Sequence, residues 1–289
     1  MTSTADRLAE TYAAALDLEK SGDHHAAARL YAQVLDLDPE DRTGAAVRLA
    51  AMGMADAPDK APDAYVALLF DQTAERFDDI LVDQLGYSVP LIVRDWLMKV
   101  APGPYARMLD LGCGTGLSGE ALADLTTHRT GVDLSENMLA EADDKGCYDD
   151  LYIGEAAAFL AAAGNGDPSH QTASETWDLI VATDLLPYIG ELDDLFSGIA
   201  RHMAPSGVFA FSNETQDDDV LAGRDFMVGG HHRFAHSERY VRARLRAHGM
   251  TVQVLAEIVV RYEQGQPVPG HLVLARHVVG GDKDASSDG

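Results

Sequence analysis

A glycine-rich turn constrains the fold of this chain more than any other feature of its sequence. Residues 109–116 have the sequence LDLGCGTG, which begins at the last residue of the apolar run ARML (106–109). Residues 118–123 (SGEALA) have the composition of a helix start. A short turn from a strand into a helix needs positive φ values, which glycine adopts without steric cost. The pattern predicts a β-strand, a glycine turn and an α-helix, the repeating unit of open parallel α/β sheets.

An acidic residue recurs where four successive apolar runs end. These residues are Asp110, Asp133, Glu155 and Asp184. Ligands of open parallel sheets bind beyond the carboxyl ends of the strands, so we expect the four side chains to face one crevice. A crevice lined by carboxylates favours a neutral or cationic ligand that carries hydroxyl groups.

The glycine spacing also has a second interpretation. Gly114, Gly116 and Gly119 satisfy the G-x-G-x-x-G dinucleotide pattern, and Asp133 follows roughly 20 residues on, where a ribose-binding acid is expected. An NAD-dependent oxidoreductase is therefore an alternative from another enzyme class. A phosphate group, however, is better served by a nearby Lys or Arg, and the nearest basic residues lie outside the turn.

Taken together, the motifs resemble those of the class I S-adenosylmethionine-dependent methyltransferases. Residues 109–116 resemble the first motif of that family, and residues 131–139 (GVDLSENML) resemble the strand whose acid holds the ribose. Residues 154–156 (GEA) are similar to the adenine-contacting turn, with Glu in place of the usual Asp, and residues 178–189 (DLIVATDLLPYI) to the fourth motif. The resemblance implies S-adenosylmethionine as cofactor, S-adenosylhomocysteine as product, and an α/β, Rossmann-like sheet of seven strands.

The C-terminal part of the chain agrees with that fold. Strands are predicted at 252–260 and 271–277, and the short connection QGQP between them requires an antiparallel hairpin. Before them, a strand is predicted at 208–211, an irregular polar segment at 212–230 and a helix at 238–248.

The same resemblance implies the cofactor contacts. Asp133 would accept hydrogen bonds from both ribose hydroxyls, and Glu155 with the Ala156 backbone N–H would read the adenine edge. The glycine turn would wrap the methionine moiety, whose ammonium favours a carboxylate such as Asp110. The predicted contacts are Phe70, Asp110, Gly112, Cys113, Gly114, Thr115, Gly116, Asp133, Leu134, Met138, Glu155, Ala156, Asp184 and Leu185.

Residues 229–237 (GGHHRFAHS) lie between the fifth strand and the last helix, where this fold places substrate-facing loops. The three histidines could act as bases or bind a metal, although no Cys or carboxylate follows at ligand spacing, and we predict no metal. Alternatively, Ser237 caps the next helix and His236 bonds to the backbone. The candidate catalytic or acceptor-orienting residues are His232, Arg233, His236 and, from the fourth motif, Tyr188.

Six arginines cluster around this loop in an otherwise arginine-poor chain, at positions 224, 233, 239, 242, 244 and 246. They predict a small acceptor with an anionic or polar group, read by Arg233 or a neighbour through paired hydrogen bonds. Residues 233–245 and 259–274 resemble the C-terminal half of a predicted group of methyltransferases that carry tetratricopeptide repeats. That resemblance names no acceptor.

The composition argues against nucleic acid and membrane partners. The formal net charge is −25, with 47 acidic against 22 basic residues, whereas nucleic-acid binding depends on Lys and Arg that neutralise phosphates. The chain has no apolar segment long enough to cross a bilayer, and its first residues lack the apolar core of a signal peptide. We therefore expect a cytoplasmic enzyme.

Four parts are predicted along the chain. Residues 1–54 contain helices at 5–18, 24–37 and 43–54, in which Ala27, Tyr31 and Pro39 resemble positions of one degenerate tetratricopeptide repeat. Residues 55–64 form a linker, residues 65–279 the methyltransferase domain, with a surface insertion at 164–176, and residues 280–289 a disordered tail. A single repeat cannot bury its own apolar face, so it should pack on the catalytic domain or form a homodimer. In an alternative function, these helices bind a protein and the chain is a protein methyltransferase or a cofactor-sensing adaptor.

The segment before the first strand, residues 65–78, has helical spacing and contains three aromatic residues. Tyr65, Phe70 and Phe77 are expected to be core contacts. In the alternative implied by the family, this segment caps the bound cofactor and an aromatic ring shields the sulfonium. A further helix is predicted at 86–99.

Overall fold

A computed structural model describes residues 3–163 and 176–277 of the chain. The predicted insertion, apart from Thr176, and the predicted tail at 280–289 lie outside the described residues. Helices are α1 Thr4–Ser21, α2 His24–Leu37, α3 Ala45–Ala51, α4 Asp63–Asp71, α5 Val89–Val100, α6 Leu117–Ala121, α7 Glu136–Lys145, α8 Ala156–Ala163, α9 Asp193–His202, α10 Asp218–Leu221 and α11 Glu238–Ala247. Single-turn 3₁₀-helices lie at Ala74–Arg76 and Leu186–Tyr188, and a π-helix at Asp79–Gln84.

One mixed sheet forms the centre of the fold. Its strands are β1 Tyr105–Leu111, β2 Thr126–Asp133, β3 Asp150–Ile153, β4 Trp177–Ala182, β5 Met203–Glu214, β6 Phe226–Val228, β7 Phe234–His236, β8 Met250–Glu263 and β9 Gln266–His277. The parallel order is β3-β2-β1-β4-β5; β9 then pairs antiparallel with β5, and β8 with β9. The predicted α/β class with a C-terminal antiparallel hairpin is confirmed.

The predicted count of seven strands was too low, because the short strands β6 and β7 bring the total within the described residues to nine. The two are antiparallel to each other, and β7 joins β5 at the pair Glu214 and Ala235. The prediction of an irregular segment at 212–230 was therefore wrong in part. Residues Ser212 to Glu214 continue β5 because β9 supplies their backbone partners, which the local polar sequence does not reveal.

Alternation along the strands builds one apolar core on each face of the sheet. Met108 packs with α5, whereas its neighbour Leu109 packs with α8, α9 and α11, since successive side chains of a strand point to opposite faces. Both residues are fully buried. No helix within the described residues is long and apolar enough to cross a membrane.

The N-terminal helices pack on one another and on the sheet. Tyr31 and Val34 of α2 are fully buried in a cluster with α1 and α3, and Val47 of α3 belongs to a second cluster with Val228 and Phe234. Met54 is the one exposed large hydrophobic side chain among residues 3–54. The apolar stripes are thus largely covered within the chain; dimer formation stays a prediction.

The segment predicted to be a linker is hydrogen-bonded to the end of the fourth motif. The backbone N–H of Ala61 donates to Tyr188 O at 2.8 Å, and the N–H of Gly190 donates to Asp59 O at 2.8 Å. Lys60 forms an antiparallel bridge with Ile189. Through these contacts, residues 59–61 lie across the carboxyl end of β4, between the N-terminal helices and the rest of the domain.

Candidate active site

A cavity lies at the carboxyl ends of β1, β2 and β4, where the acidic residues were expected to meet. It encloses about 900 Å³ of empty space, including its open mouth. Twelve of the predicted site residues line it: Phe70, Gly112, Cys113, Gly114, Thr115, Asp133, Leu134, Glu155, Ala156, Asp184, Leu185 and Tyr188. The sequence did not single out several others, among them Lys60, Ala61, Asp63, Val66, Leu81 and Tyr87.

The glycine turn after β1 forms one wall of this cavity. Gly114 and Gly116 have φ values of 52° and 94°, which side-chain-bearing residues rarely adopt. A Cβ on Gly114 would meet only Phe77, at 4.0 Å, whereas a Cβ on Gly116 would lie 2.5 Å from Cys147 Sγ. Gly114 therefore leaves space for a ligand against the backbone, and Gly116 lets the turn pack on the chain behind it.

Asp133 ends β2 and is held by the backbone. Its two carboxylate oxygens accept hydrogen bonds from the N–H of Gly114 at 2.8 Å and of Ser135 at 2.9 Å. Burial raises the pKa of Asp133. The carboxylate is thus fixed beside the glycine turn and lines the cavity.

Glu155 lies at another part of the cavity, directly before α8. Its Oε2 accepts from the N–H of Ala158 at 2.7 Å, in the first turn of α8, so that the helix end fixes the carboxylate. Lys60 Nζ lies 4.0 Å from Glu155 Oε1 and 2.8 Å from Asp63 Oδ1. Among the described residues that line the cavity, Lys60 is the one cationic side chain, and it is paired.

Asp110, the first of the four acids, lies beneath the glycine turn and does not line the cavity. It is fully buried; its Oδ2 accepts from the Tyr148 hydroxyl at 2.6 Å, and its Oδ1 has no hydrogen-bond partner. Burial raises the pKa of Asp110 to about 7. Gly116 and Met138 are likewise behind the wall, since Gly116 faces Cys147 and Met138 is fully buried in α7.

Asp184 follows β4 in a strained conformation. Its φ is 60°, its backbone N–H donates to Ser212 Oγ at 3.0 Å, and its carboxylate oxygens lie 2.8 and 3.0 Å from one guanidinium nitrogen of Arg261. Arg261 is 1% exposed and also donates to Glu214 and, at 2.9 Å, to Glu263. Strained non-glycine residues cluster at functional sites.

Arg261 was not predicted from the sequence. The signal that could have found it is an arginine directly after the apolar run IVV of β8. A fully buried arginine requires carboxylate partners, but the identity of those partners, on β4, β5 and β8, depends on the sheet order.

The loop residues proposed for catalysis lie away from the cavity. His236 is fully buried, its Nε2 lies 2.8 Å from Ile189 O, and burial lowers its pKa to about 4, so it is neutral near pH 7. The N–H of Tyr240 donates to Ser237 Oγ at 3.2 Å, which caps α11. The structure therefore has the capping arrangement, and His236 is too deeply buried to meet an acceptor.

The other two loop candidates contact carboxylates of the protein and do not line the cavity. His232 Nε2 lies 3.1 Å from Glu19 Oε1 of α1, and Arg233 Nε lies 3.1 Å from Glu214 Oε1. Arg233 also contacts Glu263. Four of the six clustered arginines, Arg233, Arg239, Arg242 and Arg244, thus pair with carboxylates of the protein itself. No group of three or more His, Cys, Asp and Glu within the described ranges could hold a metal ion.

Tyr188 is the candidate catalytic residue that lines the cavity. Burial raises its pKa to about 12, so the phenol keeps its proton near neutral pH. Tyr188 is therefore suited to donate a hydrogen bond and unsuited to act as a base.

The segment before β1 covers the cavity. Phe70 and Phe77 line it, with ring centroids 5.8 Å apart, and Phe70 lies 5.3 Å from the ring of Tyr188. Tyr65 instead packs against Gly44, near α3. All three rings pack against apolar clusters, as expected of core contacts, and Phe70 and Phe77 also have the position expected of a cap.

Two carboxylates fasten this segment to the rest of the site. Asp71 Oδ1 accepts from Ser135 Oγ at 2.5 Å. Asp78 accepts from Thr115 Oγ1 at 2.5 Å and from Lys145 Nζ at 2.5 Å. The cap is therefore bonded both to the glycine turn and to α7.

Comparison with known proteins assigns this site to a class. Residues 109–209 match the family model described as a methyltransferase domain. The chain is 28% identical over 143 residues to a cypemycin N-terminal methyltransferase from Streptomyces sp.. This match covers 48% of this chain and 54% of the relative. It is 30% identical over 175 residues to a malonyl-[acyl-carrier protein] O-methyltransferase from Geobacter sulfurreducens, covering 56% of this chain and 62% of the relative. The chain spans about half the length of the curated relatives it matches.

The fold has the same assignment. The N-methyltransferase NodS from Bradyrhizobium japonicum, solved with S-adenosyl-L-homocysteine, superposes with a TM-score of 0.55 at 15% identity, covering 74% of this chain and 98% of NodS. Residues 109–209 thus match a methyltransferase domain, and the chain shares its fold with a solved methyltransferase structure. The predicted class is confirmed at the level of domain and fold.

Proposed function

We propose that this chain binds S-adenosylmethionine in the cavity and transfers its methyl group to a small acceptor. The observation that carries the proposal is the fixed Asp133 carboxylate, which lines the same cavity as Gly114 and Glu155. A rigid acceptor of two hydrogen bonds beside an open glycine turn suits a ribose next to a methionine chain.

The charges of the site support this cofactor over NAD. The one cationic side chain among the described lining residues, Lys60, is paired with Asp63, so a pyrophosphate would find no free cationic side chain there. The described lining residues include four carboxylates, Asp63, Asp133, Glu155 and Asp184, which suits a ligand that carries a sulfonium and an ammonium. In this assignment Asp133 holds the ribose, and Glu155 with the Ala156 backbone N–H contacts the adenine.

Bound S-adenosylmethionine supplies a methyl group on a positively charged sulfur, which is open to in-line displacement. The protein contributes orientation and exclusion of water. Phe70 and Phe77 close the cavity on the side of the cap, and Tyr188 offers a hydroxyl donor for orienting the acceptor. Because Tyr188 keeps its proton, the acceptor either needs no base or loses its proton to another group.

A small acceptor is favoured because the cavity lies under the cap and the fixed segment at 59–61. The relatives act on an N-terminus and on a malonyl group held by a carrier protein. Neither relative decides the accepting atom in this chain. The tetratricopeptide-like character of α1 and α2 and a homodimer through them stay predictions.

Calorimetric titration of the full chain with S-adenosylhomocysteine, S-adenosylmethionine and NAD tests the proposal. We expect both sulfur ligands to bind and NAD to give no heat. Tight binding of NAD, with no response to the other two, would show that the oxidoreductase alternative is correct. Transfer of labelled methyl groups into a cell extract then measures the activity.

A further inference from the structure

One wall of the cavity combines a carboxylate with aromatic rings. Asp184 lines it together with Phe70, Phe77, Tyr87 and Tyr188. The faces of aromatic rings attract cations, and a nearby carboxylate adds a fixed negative charge. This combination has the chemistry of a binding site for an alkylammonium or an amine.

The partner of Asp184 leaves much of its carboxylate free. Arg261 contacts both oxygens through a single guanidinium nitrogen, at 2.8 and 3.0 Å. A carboxylate has about four lone-pair sites, and the side chain of Asp184 is 19% exposed against 1% for Arg261. Arg261 therefore orients the carboxylate from behind and does not itself line the cavity.

The charge cluster that includes Asp184 is negative. The guanidinium groups of Arg233 and Arg261 are shared by three carboxylates: Asp184, Glu214 and Glu263. Two positive charges against three negative ones leave a formal net charge of −1. Asp184 is the member of this set that lines the cavity, so the uncompensated negative charge acts on a ligand in the cavity.

An anionic acceptor fits this arrangement poorly. Lys60, the cation among the described lining residues, is paired with Asp63 and lies beside Glu155. Arg233, which the sequence suggested as the reader of an anion, is occupied by Glu214 and Glu263. An acceptor carboxylate would meet Asp184 with no counter-charge.

We propose that the acceptor is a small amine whose nitrogen is held by Asp184. This inference rests on the proposed function. The acceptor ammonium first releases one proton to water, and the neutral amine stays hydrogen-bonded to Asp184. The nitrogen lone pair then forms the new N–C bond, the C–S bond breaks, and its electron pair neutralises the sulfonium.

Positive charge moves from sulfur to nitrogen in this step, and the methylated product is again an ammonium. A carboxylate beside the nitrogen stabilises the charge as it develops, which lowers the barrier more than it strengthens binding of the neutral amine. Arg261 acts as a positioning residue, because it holds Asp184 in its strained conformation.

The full-length enzyme is incubated with methyl-labelled S-adenosylmethionine and a small-molecule extract, and the labelled products are separated on cation and anion exchangers at acidic pH. We expect the label on the cation exchanger, in an amine. Asp184→Asn keeps one oxygen for Arg261 and should lower the transfer rate constant about ten- to a hundredfold, with the Kd of S-adenosylhomocysteine changed less than about twofold. Asp225→Asn, which removes a carboxylate paired with Arg239 on the exposed surface, is the matched control and should transfer at the normal rate.

The outcomes separate this inference from the proposed function. Label in an anionic or neutral product refutes the amine acceptor and leaves methyl transfer standing. A parallel loss of S-adenosylhomocysteine affinity in Asp184→Asn assigns Asp184 to the cofactor and also refutes the inference. Absence of both transfer and S-adenosylhomocysteine binding in the unmodified enzyme refutes the proposed function itself.

Discussion

Replacing Asp133 by alanine should weaken cofactor binding and the fold by separable amounts. The carboxylate has two roles in the proposed site. It would accept hydrogen bonds from two ribose hydroxyls, and it accepts hydrogen bonds from the N–H groups of Gly114 and Ser135. For the ribose, two overlapping charge-assisted hydrogen bonds are worth about 2–4 kcal/mol. The Kd of S-adenosylhomocysteine should therefore rise about 30- to 700-fold.

The loss of stability has a different origin. Asp133→Ala leaves two backbone N–H groups without acceptors, at about 1–3 kcal/mol for each buried donor. Water entering the cavity can replace the acceptor for Gly114, and removal of a buried carboxylate with a raised pKa offsets part of the cost. We expect a net loss of about 1–3 kcal/mol, measured by urea unfolding without ligand.

The matched control is Asp178→Ala. Asp178 Oδ2 also accepts two backbone N–H groups, of Ala106 and Arg107, both at 3.0 Å, but it lies at the start of β4, outside the cavity lining. This variant should lose less stability, since the Ala106 N–H is exposed to water, and it should keep the Kd of S-adenosylhomocysteine. An Asp133→Ala enzyme that binds S-adenosylhomocysteine as tightly as the unmodified protein would refute the ribose assignment.

Three further predictions follow from the same geometry. Gly114→Ala should weaken S-adenosylhomocysteine binding, measured by calorimetry, because its Cβ projects into the cavity, whereas Gly146→Ala, at a similar positive φ with nothing within 4 Å, should cost only about 1–2 kcal/mol of stability. Burial raises the pKa of Asp110 from 3.8 to about 7, so between these pH values the folded state keeps a proton that the unfolded state loses. The free energy of unfolding should therefore fall as the pH rises across this range. Urea titrations of Asp110→Asn should lack that decrease. Deleting residues 1–54 removes Val47 from its contact with the sheet, and light scattering should show aggregation or a changed stoichiometry, while an unchanged active particle would contradict this packing.

The cofactor side of the site could be predicted because its signals are local. The glycine turn and the acids Asp133 and Glu155 each lie at the end of a strand within a few residues of the turn that positions them. Backbone geometry at such a turn is set by the glycines themselves. The order of the strands then places these ends in one crevice, as in any open parallel sheet.

The acceptor side could not be predicted in the same way. His236 and Arg233 occupy a polar loop that reads as functional, yet His236 bonds to Ile189 and Arg233 to Glu214. Asp110 has the same sequence signature as Asp133 but is buried beneath the turn. The exposure of these side chains and the choice of their partners depend on which distant strands are neighbours in the sheet. The local amino-acid composition does not determine that order.

The sequence by itself determined the α/β class, the C-terminal hairpin and the glycine turn, because strand period, turn chemistry and short connections act over a few residues. Only the tertiary structure decided that segment 59–61 borders the cavity, that β6 and β7 extend the sheet, and that Arg261 supports Asp184. The physical reason is that buried charges and backbone groups must find partners wherever the fold brings them. Those partners come from positions 77 and 127 residues away along the chain for Asp184 and Ala61, respectively.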